Sequence, residues 1–295
     1  MKKIHTPVLL DETIQSLNIK PNGFYIDCTL GDGGHSYKIL SRLSSSGLLL
    51  SIDQDNEAIE FVKNFYKIPK NWIIAKGNFS NIKNILGSNS IDRKPNGILM
   101  DLGLSSRQLE DSKDRGFSYL EEDEPLDMRM DKELGVTALD LLKVLREDEL
   151  TKLFKVYGEE KFAKQIARII KENISEIRNV GDLTRLIYKV VPATLKNKNP
   201  SRRVFQALRI AVNDEINSLK IGLDQSFEIL TTDGRLSIIS FHSLEDRMVK
   251  KFFNSLEKEN RGEIIYKKPI TANDNEIEKN PRSSSAKLRS IQKVK

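Results

Sequence analysis

Asp27-Cys28-Thr29-Leu30-Gly31-Asp32-Gly33-Gly34-His35-Ser36 decides how this chain is read. The apolar run Phe24 to Leu30 predicts a buried strand, and the glycines after it predict a tight turn that opens a helix. Glycine there lets backbone approach a ligand closely, although the same turn also serves as a bare strand-to-helix connection. Asp53 closes the next apolar run, at roughly the 20-residue spacing from which a carboxylate reaches the ribose hydroxyls of an adenosine cofactor. A nucleoside cofactor is the economical reading. Ser36 stands where the dinucleotide fingerprint has its third glycine. The acidic Asp27 before the turn suits the cationic amino-acid portion of S-adenosylmethionine better than a pyrophosphate, which favours a methyl donor over NAD.

Outward from that turn, Leu48 to Asp53, Trp72 to Lys76 and Gly97 to Leu102 read as further buried strands. Over Gln54 to Phe65, residues Ala58, Phe61, Val62 and Phe65 recur at the spacing of one buried helix face, with Asp53 or Asp55 to cap its start. Strands alternating with helices imply a mostly parallel, Rossmann-like α/β sheet. That rhythm stops after Gly103. A polar stretch from Ser105 to Asp131 leads into helical patterns from Thr137 to about Val191, which predict an inserted helical subdomain over residues 105–200. Its stripe Phe162, Ala163, Ile166, Ala167 and Ile170 reads as core packing. A long helix is expected from Arg202 to about Leu219 with Ser201 as N-cap, so that residues 1–104 and 201–295 form the core domain. Strand pattern returns at Gly234 to Phe241, then at Glu263 to Tyr266 and Ala286 to Ile291, a pair suited to an antiparallel edge. Ala272 to Asn280 and Arg282 to Ser285 read as loops.

With 295 residues, 38% hydrophobic and 31% charged, the chain can build one large domain or a core carrying a smaller one. Its single cysteine, Cys28, excludes an internal disulfide and a cysteine-based zinc cluster, and no metal is expected. No apolar run approaches the roughly 18 to 20 residues of a membrane span, and Met1-Lys2-Lys3 leads into His5-Thr6-Pro7 rather than an apolar leader. A cytoplasmic protein without membrane contact is the expectation. Lys plus Arg number 48 against 42 Asp plus Glu, a net charge of +6 that permits a polyanionic partner without demanding one.

Asp101 ends the fourth strand, at the crevice outside the carboxyl ends of the strands. It is the first candidate for the reaction site; capping the turn that follows is the plain alternative. Methyl transfer from a sulfonium to an exocyclic amine is an in-line displacement, for which the nitrogen must be aimed and its proton accepted. Positioning supplies roughly 7–11 kcal/mol and a general base about 10²- to 10⁴-fold, so a carboxylate or the backbone around Gly103 suffices. Cytosine C5 methylation would need a cysteine nucleophile, whereas Cys28 lies on the first strand and reads as a buried apolar residue.

Eight ordered blocks extend the pattern along nearly the whole chain: His5 to Glu12, Asp27 to Ser36, Gly97 to Ser106, Arg115 to Ser118, Pro125 to Asp131, Ser201 to Glu215, Ile239 to Arg247 and Arg282 to Leu288. In these blocks the chain resembles the ribosomal RNA small-subunit methyltransferase H family, also called RsmH or MraW. The resemblance implies a class I S-adenosylmethionine-dependent methyltransferase with an inserted helical subdomain for substrate recognition. Its target would be the N4 amine of a cytidine in the decoding region of 16S rRNA. Carried over by position, the cofactor contacts would be Gly33, Gly34, His35, Asp53, Phe79, Asp101 and Gln108. Phe79 either lies against the adenine or fills the core, and Gln108 rests on the resemblance alone. The implied partner is 16S rRNA or the small ribosomal subunit, and a homodimer is compatible with the family.

His242 follows the fifth strand and faces the same crevice, as a catalytic, base-contacting residue or as a hydrogen-bonded structural histidine; His5 is a weaker candidate. Arg115, Asp127, Arg129 and Asp131 either shape an RNA pocket or lock the insertion by ion pairs. Arg202, Arg203 and Arg209, with the tail Arg282, Lys287, Arg289, Lys293 and Lys295, can track RNA phosphates or form a solvated face. Because a base must be splayed out to be modified, a cavity for one cytidine is expected. Two rival functions stay open on this fold. A nucleotide-dependent oxidoreductase would bind NAD, and an assembly protein would keep RNA binding without methylation.

Overall fold

The computed structural model describes residues 7–110, 114–192 and 199–295. They form two units, Met1–Ser105 with Ile216–Lys295, and Ser106–Glu215. The first unit runs α1 (Leu10–Leu17), β1 (Phe24–Asp27), α2 (Gly34–Leu40), β2 (Leu48–Asp53), α3 (Asn56–Phe65), β3 (Trp72–Lys76), α4 (Ile82–Ser88) and β4 (Gly97–Asp101). The inserted unit holds α5 (Ser106–Glu110), α6 (Ala138–Val144), α7 (Glu147–Gly158), α8 (Ala163–Glu172), α9 (Val180–Val190) and α10 (Ser201–Val212). The first unit resumes through α11 (Glu215–Ile229), β5 (Arg235–Ser240), α12 (Ser243–Lys258), β6 (Gly262–Ile264), α13 (Asp274–Lys279) and β7 (Lys287–Lys293).

The strands pair in the order β3-β2-β1-β4-β5-β7-β6. They are parallel from β3 through β5, and β7 is antiparallel to both β5 and β6. Period-two alternation sends neighbouring side chains to opposite faces. Phe24, Ile26, Leu50, Ile98 and Met100 meet Leu223 and Phe227 of α11 and Phe253 of α12. Tyr25, Leu49 and Leu99 meet Ile14 of α1, Ile39 of α2 and Val62 of α3. Burial on both faces is why these strands read as continuous apolar runs. The register Asp27↔Ser51 and Asp27↔Leu99 brings the ends of β1, β2 and β4 to one carboxyl edge, where Asp27, Asp53 and Asp101 gather. Among the described residues no helix is long and apolar enough to cross a membrane.

Four expectations need correction. The helix from Arg202 to Leu219 is two helices: Asp214 sits between α10 and α11 at φ 47, a left-handed conformation that an α-helix does not continue through. Pro200 rather than Ser201 is the N-cap, and the buried Ser201 hydroxyl makes no hydrogen bond. The core also resumes after Glu215 rather than at 201. α10 buries Val204, Phe205 and Leu208 and packs on α7; an amphipathic stripe announces burial without naming its partner. Finally, the expected loop Ala272 to Asn280 contains α13, capped by the Asn273 side chain accepting from Glu276 N–H.

The inserted unit otherwise follows its pattern, with Ala163, Ile166, Ala167 and Ile170 buried on α8. Its irregular segment is held from inside. Arg115 is 2% exposed and donates to the Met130 carbonyl at 3.3 Å. Arg129 forks onto Asp127 through two 2.7 Å bonds. Asn213 accepts from Met130 N–H and donates to the Met128 carbonyl, both at 2.7 Å. At Gly116, with φ 64, a Cβ would meet the Pro125 carbonyl oxygen at 2.1 Å. These bonds give Arg115, Asp127 and Arg129 a locking role inside the unit.

Candidate active site

The carboxyl edge of β1, β2 and β4 is organised around the glycine turn. Gly33 is the N-cap of α2 at φ 80, a region open to glycine and strained for other residues. Asp53 ties the turn down: its Oδ2 accepts from Gly31 N–H at 2.8 Å and its Oδ1 from Asp55 N–H at 2.9 Å. Of the two capping candidates for α3, Asp55 caps it, accepting from Glu57 N–H. Burial pushes the Asp53 carboxyl up to about 6.

Asp27 is engaged within the fold. It is fully buried, and its oxygens accept from Thr29 N–H at 3.1 Å and from Ser36 Oγ at 2.6 Å. Ser36 in turn accepts from Ser51, whose oxygen accepts from Trp72 Nε1–H. The serine in the third-glycine position thus carries a hydrogen-bond chain from β3 to β1. Burial pushes Asp27 up to about 7 in spite of these bonds. Thr29 joins the chain to β4: its hydroxyl accepts from Asp101 N–H at 2.7 Å and lies 3.4 Å from Asp27 Oδ1. Nothing in the sequence marks Thr29, since a lone threonine before a glycine turn has many uses.

Asp101 is less well satisfied. Its Oδ1 is shut off from solvent and makes no hydrogen bond, and its Oδ2 lies 3.9 Å from His35 Nε2, too far for a hydrogen bond. Burial, followed by the nearby Asp27 and Glu245 charges, holds its carboxyl well above the ordinary range. His35 is buried, neither ring nitrogen makes a hydrogen bond, and burial lowers it to about 4. At neutral pH it is a neutral imidazole with one donor and one acceptor unused.

Phe79 follows β3 in a short 3₁₀ turn and packs on the main core, where the absent side chain of Gly222 on α11 admits its ring. Gly34 opens α2 with Pro7 close above it. Gln108 lies on α5 of the inserted unit and is buried there. His242 is the N-cap of α12: Nδ1 accepts from Glu245 N–H at 3.4 Å, and Nε2 lies 3.1 Å from Glu245 Oε1. His5 lies outside the described residues.

Among the basic candidates, Arg202 and Arg203 are exposed. Arg209 instead forks onto Glu215 at 2.7 and 2.8 Å. Lys287 and Arg289 both donate to Asp246, and Lys293 donates to the Glu228 and Leu230 carbonyls at the end of α11. A run of basic letters cannot show that its charges are met by partners far along the chain.

Residues 2–294 match the family model described as the MraW methylase family. The chain belongs to the MraW methylase family. A ribosomal RNA small subunit methyltransferase H of Clostridium botulinum is 48% identical over 308 residues, covering 98% of this chain and 99% of that protein. The protein of the same name from Caldicellulosiruptor saccharolyticus is 46% identical over 307 residues, with the same coverage. A solved rRNA-methylase from Clostridium thermocellum covers 99% of this chain and all of its own, at 11% identity and a TM-score of 0.49, too loose a likeness to bear on function.

The methyl donor of this MraW methylase is S-adenosylmethionine, cationic at its sulfonium and its α-ammonium. The residues present fit it. Asp101 Oδ1 is an unused buried acceptor and His35 has unused ring nitrogens, while carboxyls held above their ordinary range are stabilised in charged form by a nearby cation.

Proposed function

We infer that this chain transfers a methyl group from S-adenosylmethionine to the exocyclic N4 amine of one cytidine in the decoding region of 16S rRNA, in the cytoplasm. The observation that carries the chemistry is Asp101, a carboxyl with an unused oxygen at the end of β4, within a chain similar over nearly its full length to rRNA small-subunit methyltransferases.

Bound S-adenosylmethionine supplies the electrophilic methyl carbon. The backbone at Gly33 and Gly34 approaches the cofactor, Asp53 takes the ribose hydroxyls, Phe79, only partly buried against the core, lies against the adenine, and His35 completes the contacts on this unit. Asp101 has two tasks, holding the cofactor's cationic end and accepting from the target amine. An amine N–H donated to Asp101 Oδ1 aims the nitrogen lone pair, and a carboxyl held above its ordinary range suits taking up a proton near neutral pH. No covalent cysteine is needed, and Cys28 is buried with its thiol pushed up by burial. His242 holds the start of α12 and is left out of the chemistry. The inserted unit serves substrate recognition, with Arg202 and Arg203 meeting phosphates; Arg209, paired with Glu215, is not among them.

The test is incubation of the protein with labelled S-adenosylmethionine and small subunits lacking this modification, followed by nucleoside mass spectrometry. N4-methylcytidine is the expected product. Methylation of naked RNA alone would place the enzyme earlier in subunit assembly. Failure on every substrate despite tight cofactor binding would overturn the assignment. A homodimer is part of the family expectation, and sedimentation of the purified chain tests it.

A further inference from the structure

α12 has a face that methyl transfer does not use. Its buried side consists of Glu245, Val249, Phe253 and Leu256. Opposite them, Arg247, Lys250, Lys251, Asn254, Ser255 and Lys258 are exposed and flank one shallow groove. At 3.6 residues per turn these six fall in a single strip, with Glu257 and Glu259 outside it on either flank. Among the described residues Lys250, Lys251 and Lys258 make no ion pair. A merely solvated face mixes signs, as α3 does with Glu57, Glu60 and Lys63 and α11 does with Lys220, Asp224 and Glu228. The strip on α12 carries positive charge alone.

We propose that this strip is a docking surface for the phosphate backbone of an RNA strand. The proposal rests on the reading of RNA as substrate and adds where its backbone runs on the core unit. Cations stand at Arg247, one turn on at Lys250 and Lys251, and two turns further at Lys258, with the neutral Asn254 and Ser255 between, so that phosphates spread along some 16 Å of helix can be met from one side. The strip starts in the turn after His242, beside the edge where β5 pairs with β4 through Asp101↔Ile239, and leads away from it. A strand whose base is presented at that edge therefore has a cationic path for its flank. An anionic membrane is a poorer fit, because a helix that lies on lipid turns its apolar face outward, and the apolar face of α12 is buried.

The test compares two full-length variants, K250Q/K251Q/K258Q and, as control, K63Q/K67Q/K70Q on and after α3; each lowers the net charge from +6 by three, to +3. Affinity for a decoding-region fragment of 16S rRNA is measured against salt concentration, beside S-adenosylmethionine affinity and kcat at saturating RNA. The strip variant should bind about tenfold more weakly near 0.1 M salt and lose about 2 from the slope of log affinity on log salt, at about 0.7 per phosphate contact. Cofactor affinity and kcat should not move, and the control should match the unmodified chain. Equal loss in both variants, or in neither, would overturn the proposal. So would retained RNA binding with loss of binding to phosphatidylglycerol vesicles, which would assign the strip to a membrane. RNA that binds with the expected slopes, with neither it nor small subunits ever methylated, would sink the activity and leave the docking surface standing.

Discussion

Asp101 and His35 carry unsatisfied polar atoms at the carboxyl edge, and a buried polar group without a partner is where a ligand gains most. Asp101→Asn keeps the shape and removes the carboxylate. It should lower kcat by about 10²- to 10⁴-fold, the scale of a lost general base, without lowering the melting temperature, because burial already disfavours the charge. Single-turnover methylation and thermal unfolding read the two halves separately. Thr29 acts through Asp101, as the acceptor for its N–H, and is a positioning residue. Thr29→Val removes that acceptor at nearly constant volume, for a stability cost of about 1–3 kcal/mol and a fall in kcat that exceeds any change in KM for RNA. Thr29→Ser restores the hydroxyl and should restore kcat; a serine variant as slow as the valine one would show that packing rather than the hydrogen bond matters.

The elements show which parts of the molecule a sequence discloses. β1, β2 and β4 were legible because strands buried on both faces must be apolar throughout, and the antiparallel edge of β6 and β7 followed from two late strand patterns. Asp53 and Asp101 could be placed at one edge because the ends of parallel strands share one crevice. What the sequence withheld depends on partners distant along the chain: Lys293 with the end of α11, and Lys287 and Arg289 with Asp246. Asn213 is the clearest case. Nothing local marks it, yet it satisfies two buried backbone groups of the segment Met128 to Met130. Asn213→Ala strands both, and at about 1–3 kcal/mol for each unpaired group it should destabilise the inserted unit by about 3 kcal/mol. Hydrogen exchange of the Met130 amide, measured with and without the substitution, should show the loss. Unchanged protection would mean that Arg115 and the Arg129–Asp127 pair hold the segment without it.

At the scale of the whole molecule, groups at the carboxyl edge make stability depend on pH in opposing senses. Asp27 rises from 3.8 to about 7 and Asp53 to about 6, with Asp101 also well above its ordinary value. Between 3.8 and those values the native state holds more protons than the unfolded chain, so stability falls as pH rises through that window. His35 falls from 6.5 to about 4. In that interval the native state holds fewer protons and stability rises with pH, which offsets the carboxyls. Above 6.5 the histidine adds no further slope, and Asp27 and Asp101 act alone. The melting temperature of the cofactor-free protein should therefore decline from pH 6.5 to 8. A cation held at Asp101 favours its charged form and, through space, those of the carboxyls near it, so S-adenosylmethionine should bind more tightly at pH 8 than at pH 6 and release protons on binding near pH 6.5. Calorimetry in two buffers of different ionisation enthalpy measures that release. S-adenosylhomocysteine keeps the ammonium and lacks the sulfonium charge, so it should release fewer protons. Equal release by both would place the ammonium, rather than the sulfonium, against the buried carboxyls.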